Sequence, residues 1–133
     1  MRTSNNSFHW IPRILCIAAI LFISMFAADA FAPGLSIGEQ IRDFLIHLIP
    51  TFVLTAILIL AWKRELIGGM IFTLLGLGLS PVVFLMNYNN NHSVLVSLSI
   101  ILLITIPFVV VGILFIVSHR RKQSSAQTSV QLK

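Results

Sequence analysis

Hydrophobic and polar positions in this chain do not alternate; the apolar residues come in four long blocks. Residues 14–31, 44–62, 66–86 and 94–118 form apolar runs in which Asp29 is the one formally charged side chain. An α-helix rises about 1.5 Å per residue, so roughly 20 residues cross a hydrocarbon layer about 30 Å thick. Each run is long enough, the first only barely. Lipid offers no water to satisfy backbone groups, so a spanning segment is a helix or part of a closed barrel. Continuous apolar character rejects the barrel, whose strands alternate. The pattern predicts an all-α membrane protein with four transmembrane helices in an up-down bundle, at about residues 10–31, 37–62, 65–87 and 93–119. These make up one domain, 1–122. The remaining stretch, 123–133, is polar and without periodicity, and is expected to be a disordered tail.

Short polar breaks separate the runs. Lys63-Arg64-Glu65 leaves room only for a tight helical hairpin, making the second and third helices antiparallel neighbours. Pro33-Gly34 reads as a chain breaker, and Ser36 with Glu39 matches the S-x-x-E capping box that starts a helix. The Asn-rich segment 87–93 reads as a turn.

Composition agrees with lipid as the main solvent: the chain of 133 residues is 57% hydrophobic and 10% charged, where a soluble domain carries about a quarter charged residues. The placement of charge adds orientation. Arg2, Arg13, Lys63, Arg64, Arg120, Arg121, Lys122 and Lys133, eight of the nine basic residues, fall on one side of a four-pass arrangement, and only Arg42 falls on the other. The positive-inside rule makes that side cytoplasmic, with both termini inside. Trp10 and Trp62 then sit at the inner edges and Tyr88 at the outer one, where aromatic anchors belong. Arg120-Arg121-Lys122 is first a topology determinant, with some attraction for anionic lipid. Nothing in this charge distribution requires nucleic acid. Residues 1–30 also resemble a secretory leader ending in Ala28-Asp29-Ala30. The return of apolar character at Phe31-Ala32 favours a retained first helix over a cleaved leader.

Candidate chemistry is sparse. Glu39, Asp43 and His47 follow at spacing four and share a helix face, which Thr51 and Thr55 extend into the membrane. Asp43 and His47 are the candidate polar site, for proton sensing or cation coordination, with Asp29 and His92 as conceivable additions. The plainer alternative is a histidine at the lipid boundary that bonds locally. Pro50 and Pro107 each remove a helical hydrogen bond and are expected to kink the second and fourth helices, with Thr51 and Thr105 near the freed carbonyls. Gly69, Thr73, Gly76 and Ser80 form a stripe of small residues along the third helix, the pattern that lets helices approach closely in lipid. It fits packing within the bundle, or association with another copy or another membrane protein. Gly68 and Gly78 read as added flexibility nearby. The single cysteine, Cys16, excludes an intramolecular disulfide and a multi-cysteine metal centre. Asn91-His92-Ser93 fits the short N-x-S acceptor pattern, which has meaning only in a eukaryotic secretory pathway. No nucleophile, metal-ligand or dinucleotide motif is present, so no catalytic residue, cofactor or metal is expected.

Three segments, "SMFAADAF", "FLIHLIPTFVL" and "LAWKRELIGGMIFTLLGL", taken in order, resemble a family of small bacterial integral membrane proteins of unknown function. The matching positions are residues 26–31, residues 45–50, and Trp62 with Glu65, Ile67, Gly68 and Gly69. The resemblance implies the four-helix architecture and a bacterial cytoplasmic membrane, and supplies no activity. The expectation is a non-enzymatic accessory or structural component that acts through helix association. The alternative is a small transporter or ion- or proton-sensing protein using His47 and Asp43.

Overall fold

A computed structural model describes residues 4–31 and 33–131; Arg2 and Lys133, used in the charge argument, and Ala32 lie outside them. The described chain is all-helical: α1 (Ser4–Met25), a 3-10 segment (Phe26–Ala30), α2 (Ile37–Lys63), α3 (Glu65–Asn91), α4 (Val94–Ile104) and α5 (Ile106–Gln131). Four stretches are long and apolar enough to cross a membrane: Trp10–Ala30, Ile37–Lys63, Glu65–Asn91 and Val94–Thr128.

Local chemistry sets the turns. Gly34 takes a left-handed φ of +97°, which a side chain resists. Ser36 then caps α2: its hydroxyl accepts from the Glu39 N–H at 3.4 Å while its own N–H donates to Glu39 Oε2 at 2.9 Å. Between α2 and α3 only Arg64 is non-helical. So abrupt a reversal needs the two backbones close together. Gly68 allows it, because a Cβ there would overlap Ala61, which it meets 2.9 Å from the backbone nitrogen. Gly68 is thus a contact glycine, where flexibility was expected.

The helices pack in a ring: α1 on α2, α2 on α3, α3 on α4 and α5, and α5 back on α1. The core contains Cys16 and Ile20 from α1, Leu54, Leu58 and Ala61 from α2, Phe72 from α3, and Phe108, Val111 and Phe115 from α5. Phe72 stacks near-parallel between Phe108 and Phe115, with centroids 6.1 Å and 6.4 Å away. Ala27 and Ala30, around the leader-like motif, are buried in the 3-10 segment that packs on α2.

Element ends depart from expectation in four places. First, α1 begins at Ser4, so Pro12 lies inside it and is buried. Second, α3 runs on to Asn91 instead of ending near 87: Asn87 Nδ2 donates to the Val83 carbonyl at 2.8 Å, and left-handed His92 ends the helix. Third, the fourth span is two helices meeting at Thr105. Pro107 has no N–H for the Leu103 carbonyl, and the Phe108 and Val109 N–H groups both turn to the Thr105 carbonyl, at 3.2 Å and 3.3 Å. Pro50, by contrast, lies within an unbroken α2. Fourth, α5 continues to Gln131 where a disordered tail was expected. Extending an existing helix avoids the cost of nucleation, and this stretch has no Gly or Pro. Its hydroxyls bond inward, Ser125 to the Arg121 carbonyl at 3.0 Å and Thr128 to the Ser124 carbonyl at 3.1 Å.

Candidate functional site

The concentrated polar chemistry lies at the α2–α3 hairpin. The one-residue turn makes Glu65 the first residue of α3, where the helix dipole favours a carboxylate, and the ring of helices leaves it only 7% exposed. Ser118 and Lys122 are four apart on α5, so they share a face. Both reach Glu65: Lys122 Nζ lies 2.7 Å from Oε1 and the Ser118 hydroxyl donates to Oε2 at 3.3 Å. From α1, an Arg13 terminal nitrogen lies 3.7 Å from Oε1. The Arg13 guanidinium also stands 5.6 Å and 5.8 Å from the rings of Trp10 and Trp62, within the range where a cation is attracted to an aromatic face.

One buried carboxylate therefore joins α1, α3 and α5, with Trp62 of α2 completing the circle. Taking a lone carboxylate out of water costs many kcal/mol, and a paired, hydrogen-bonded one survives because its partners offset that cost. Two cations and a hydroxyl do so here. Their combined effect is to lock the register of three helices at one end of the bundle. The sequence carried a signal for this: Glu65 is the one acidic residue in the segments holding eight of the nine basic residues.

The anticipated polar pair is arranged differently. His47 is exposed, and its Nδ1 donates to the Asp43 backbone carbonyl at 2.7 Å. The Asp43 carboxylate accepts from its neighbour Arg42 at 3.2 Å. Both contacts stay on α2. Among the described residues no three His, Cys, Asp or Glu side chains converge, so Asp29 and His92 do not join His47 and Asp43 in one site. His92 instead sits with its ring edge-on to Tyr88, 6.2 Å away. At Pro50, the Thr51 hydroxyl expected to help the freed carbonyl has no hydrogen-bond partner; Thr55 donates to the Thr51 carbonyl at 2.7 Å.

The small-residue stripe lies inside the bundle, against α4 and α5. A Cβ on Gly76 would stand 3.0 Å from the Thr105 carbonyl oxygen, and one on Gly69 would stand 2.7 Å from that of Gly112. Thr73 donates to the Gly69 carbonyl at 2.9 Å, Ser80 to the Gly76 carbonyl at 2.7 Å, and the Ser80 and Thr105 hydroxyls meet at 2.9 Å. Gly112, absent from the sequence-derived stripe, is its counterpart: a Cβ there would come within 2.6 Å of the Gly69 oxygen and overlap the Thr73 hydroxyl.

No curated protein and no solved structure matches the sequence. A domain family of unknown function, DUF7670, matches residues 1–127, a span that takes in the first three apolar stretches, all but the last residue of the fourth, the glycine seam and the whole Glu65 cluster. The chain belongs to the DUF7670 family.

Proposed function

We propose that this chain is a multi-pass membrane protein without catalytic activity, an accessory or structural component that acts through association of its helices in the bilayer of a bacterial cytoplasmic membrane, with both termini cytoplasmic. The observation that carries this reading is the division between outside and inside. Large apolar side chains face outward from every spanning stretch, among them Leu21 at 61% exposure, Phe52 at 62%, Leu74 at 70% and Leu102 at 68%. The polar groups pair inside the bundle instead, Glu65 with Ser118 and Lys122, and Ser80 with Thr105. A chain built this way offers a partner its apolar exterior.

The internal glycine stripe shifts where association would occur. Gly69 and Gly76 are occupied by α4 and α5, so the surface for a second copy or another membrane protein is the outer apolar face. Retention of α1 is part of the reading: Cys16 and Ile20 belong to the core and Arg13 reaches Glu65, so loss of residues 1–30 would open both.

The test is crosslinking of the full-length chain in native membranes, with alkaline extraction as the companion measurement. The expected result is a protein retained in the membrane after alkaline treatment and captured in an assembly larger than the 14.8 kDa chain. A crosslinked population consisting of the monomer alone would overturn the association reading. Reporter fusions after Lys63 and after Asn91 test orientation, with the first site expected inside and the second outside.

A further inference from the structure

A cavity of about 390 Å³ opens beside the Glu65 cluster, between the α2–α3 hairpin and α5. One part of its lining is cationic: Lys63, Arg64 and Lys122, with His119 beside them; the other part is Trp62, Leu66 and Ile67. Glu65 also lines it, but its carboxylate is held by Lys122 at 2.7 Å and approached by Arg13 at 3.7 Å. Lys63 and Arg64 form no ion pair with any described residue, and both are exposed. The cavity thus keeps an uncompensated double positive charge.

We propose that this cavity binds the phosphate headgroup of one anionic glycerophospholipid. Three features select that occupant over a soluble anion. The cavity lies at the end of apolar spans, where headgroups lie. Its lining changes from cationic to apolar, matching a phosphate continued by glycerol and the first acyl carbons. Trp62, about half exposed, is the side-chain type that settles at headgroup level. Basic pockets between spanning helices are a recurring way of holding such lipids. The Glu65 cluster supplies the rigid back wall, because it fixes α5 and Lys122 against α3. The inference rests on the membrane reading, whose failure alkaline extraction detects separately.

The experiment uses the full-length protein in nanodiscs of equal parts phosphatidylcholine and phosphatidylglycerol, released for native mass spectrometry. The expected result is one phosphatidylglycerol retained in preference to phosphatidylcholine. Lys63→Gln with Arg64→Gln should lower that preference by roughly fivefold for each charge removed, while Arg120→Gln, outside the cavity, keeps it. Equal retention of the two lipids by the wild-type chain would overturn the proposal without need of any variant. So would an Arg120→Gln loss as large as that of the paired variant, which would mean diffuse surface attraction. Displacement of the retained lipid by millimolar inorganic phosphate would overturn the lipid assignment in favour of a soluble anion.

Discussion

The α3–α5 seam and the N-terminal part of α2 contain similar residue types and use them in opposite ways. Along the seam, hydroxyls, glycines and a carboxylate from separate helices converge: Gly69 on Gly112, Ser80 on Thr105, Glu65 on Ser118 and Lys122. On α2, His47 bonds to Asp43's own backbone, Asp43 to adjacent Arg42, and Thr55 to the Thr51 carbonyl. The first set fixes how helices sit against one another. The second set could form on an isolated helix. A polar residue in a membrane chain is thus a weak pointer to a site; a polar residue whose partners come from other helices is a stronger one.

The largest effect that would sharpen this contrast is expected at the seam. Gly112→Leu puts a branched side chain where even a Cβ would lie 2.6 Å from the Gly69 oxygen. Overpacking of that kind costs about 1–3 kcal/mol and sometimes more, and the facing group here is backbone, which gives least. We expect a destabilisation of about 3 kcal/mol, read as an earlier unfolding midpoint on titration into denaturing detergent. Gly78→Leu is the control: a Cβ at Gly78 meets nothing within 4 Å. Equal behaviour of the two variants would break the distinction between a packed seam and an open face.

Next comes Glu65→Ala. Removing one member of a buried ion pair typically costs about 3–5 kcal/mol because the other charge is stranded. Lys122 has a side chain 49% exposed and can return to water, whereas Arg13, at 20%, is less free. About 2 kcal/mol is the expected loss, with Glu65→Gln losing less because the amide still accepts from Ser118. Thermal unfolding in a mild detergent measures both. A Glu65→Ala variant as stable as wild type would mean that the cluster does not fix the helices.

These two positions also show what was legible in the sequence and what was not. Four helical stretches long and apolar enough to span followed from apolar run length, because lipid leaves the backbone little alternative, and the Ser36–Glu39 cap followed from local spacing. The stripe of Gly69, Thr73, Gly76 and Ser80 was visible for the same reason, since residues on one helix share a face by periodicity alone. Its partner Gly112 was not, because pairing depends on the rotation of α5 about its axis. Glu65 was passed over as part of a short polar hairpin, although its isolation among basic residues was a usable sign. The helical course of α5 beyond Lys122 was hidden because polar composition alone does not distinguish an exposed helix end from a coil.

The smallest effect is expected at the opening candidate, and it is the most informative about function. His47→Ala removes a ring that is exposed and bonded only to the carbonyl of Asp43. That carbonyl belongs to the preceding helical turn, so its backbone bond to the His47 N–H survives the substitution. Surface changes of this sort usually stay within about 0.5 kcal/mol, and that bound is expected here. A histidine used as a switch would behave differently: its charge changes between about pH 5 and pH 8, and coupling to a second helix would make stability or assembly vary across that interval. The comparison is therefore an unfolding midpoint and a crosslinking pattern measured across that pH range in wild type and His47→Ala. Superimposable profiles are expected, because among the described residues the ring's hydrogen bond stays on α2 and no ion pair ties it to another helix to convert its charge into movement. A pH-dependent step present in the wild type and lost in the variant would instead show that the N-terminal part of α2 works across helices, and the contrast with the α3–α5 seam would fail.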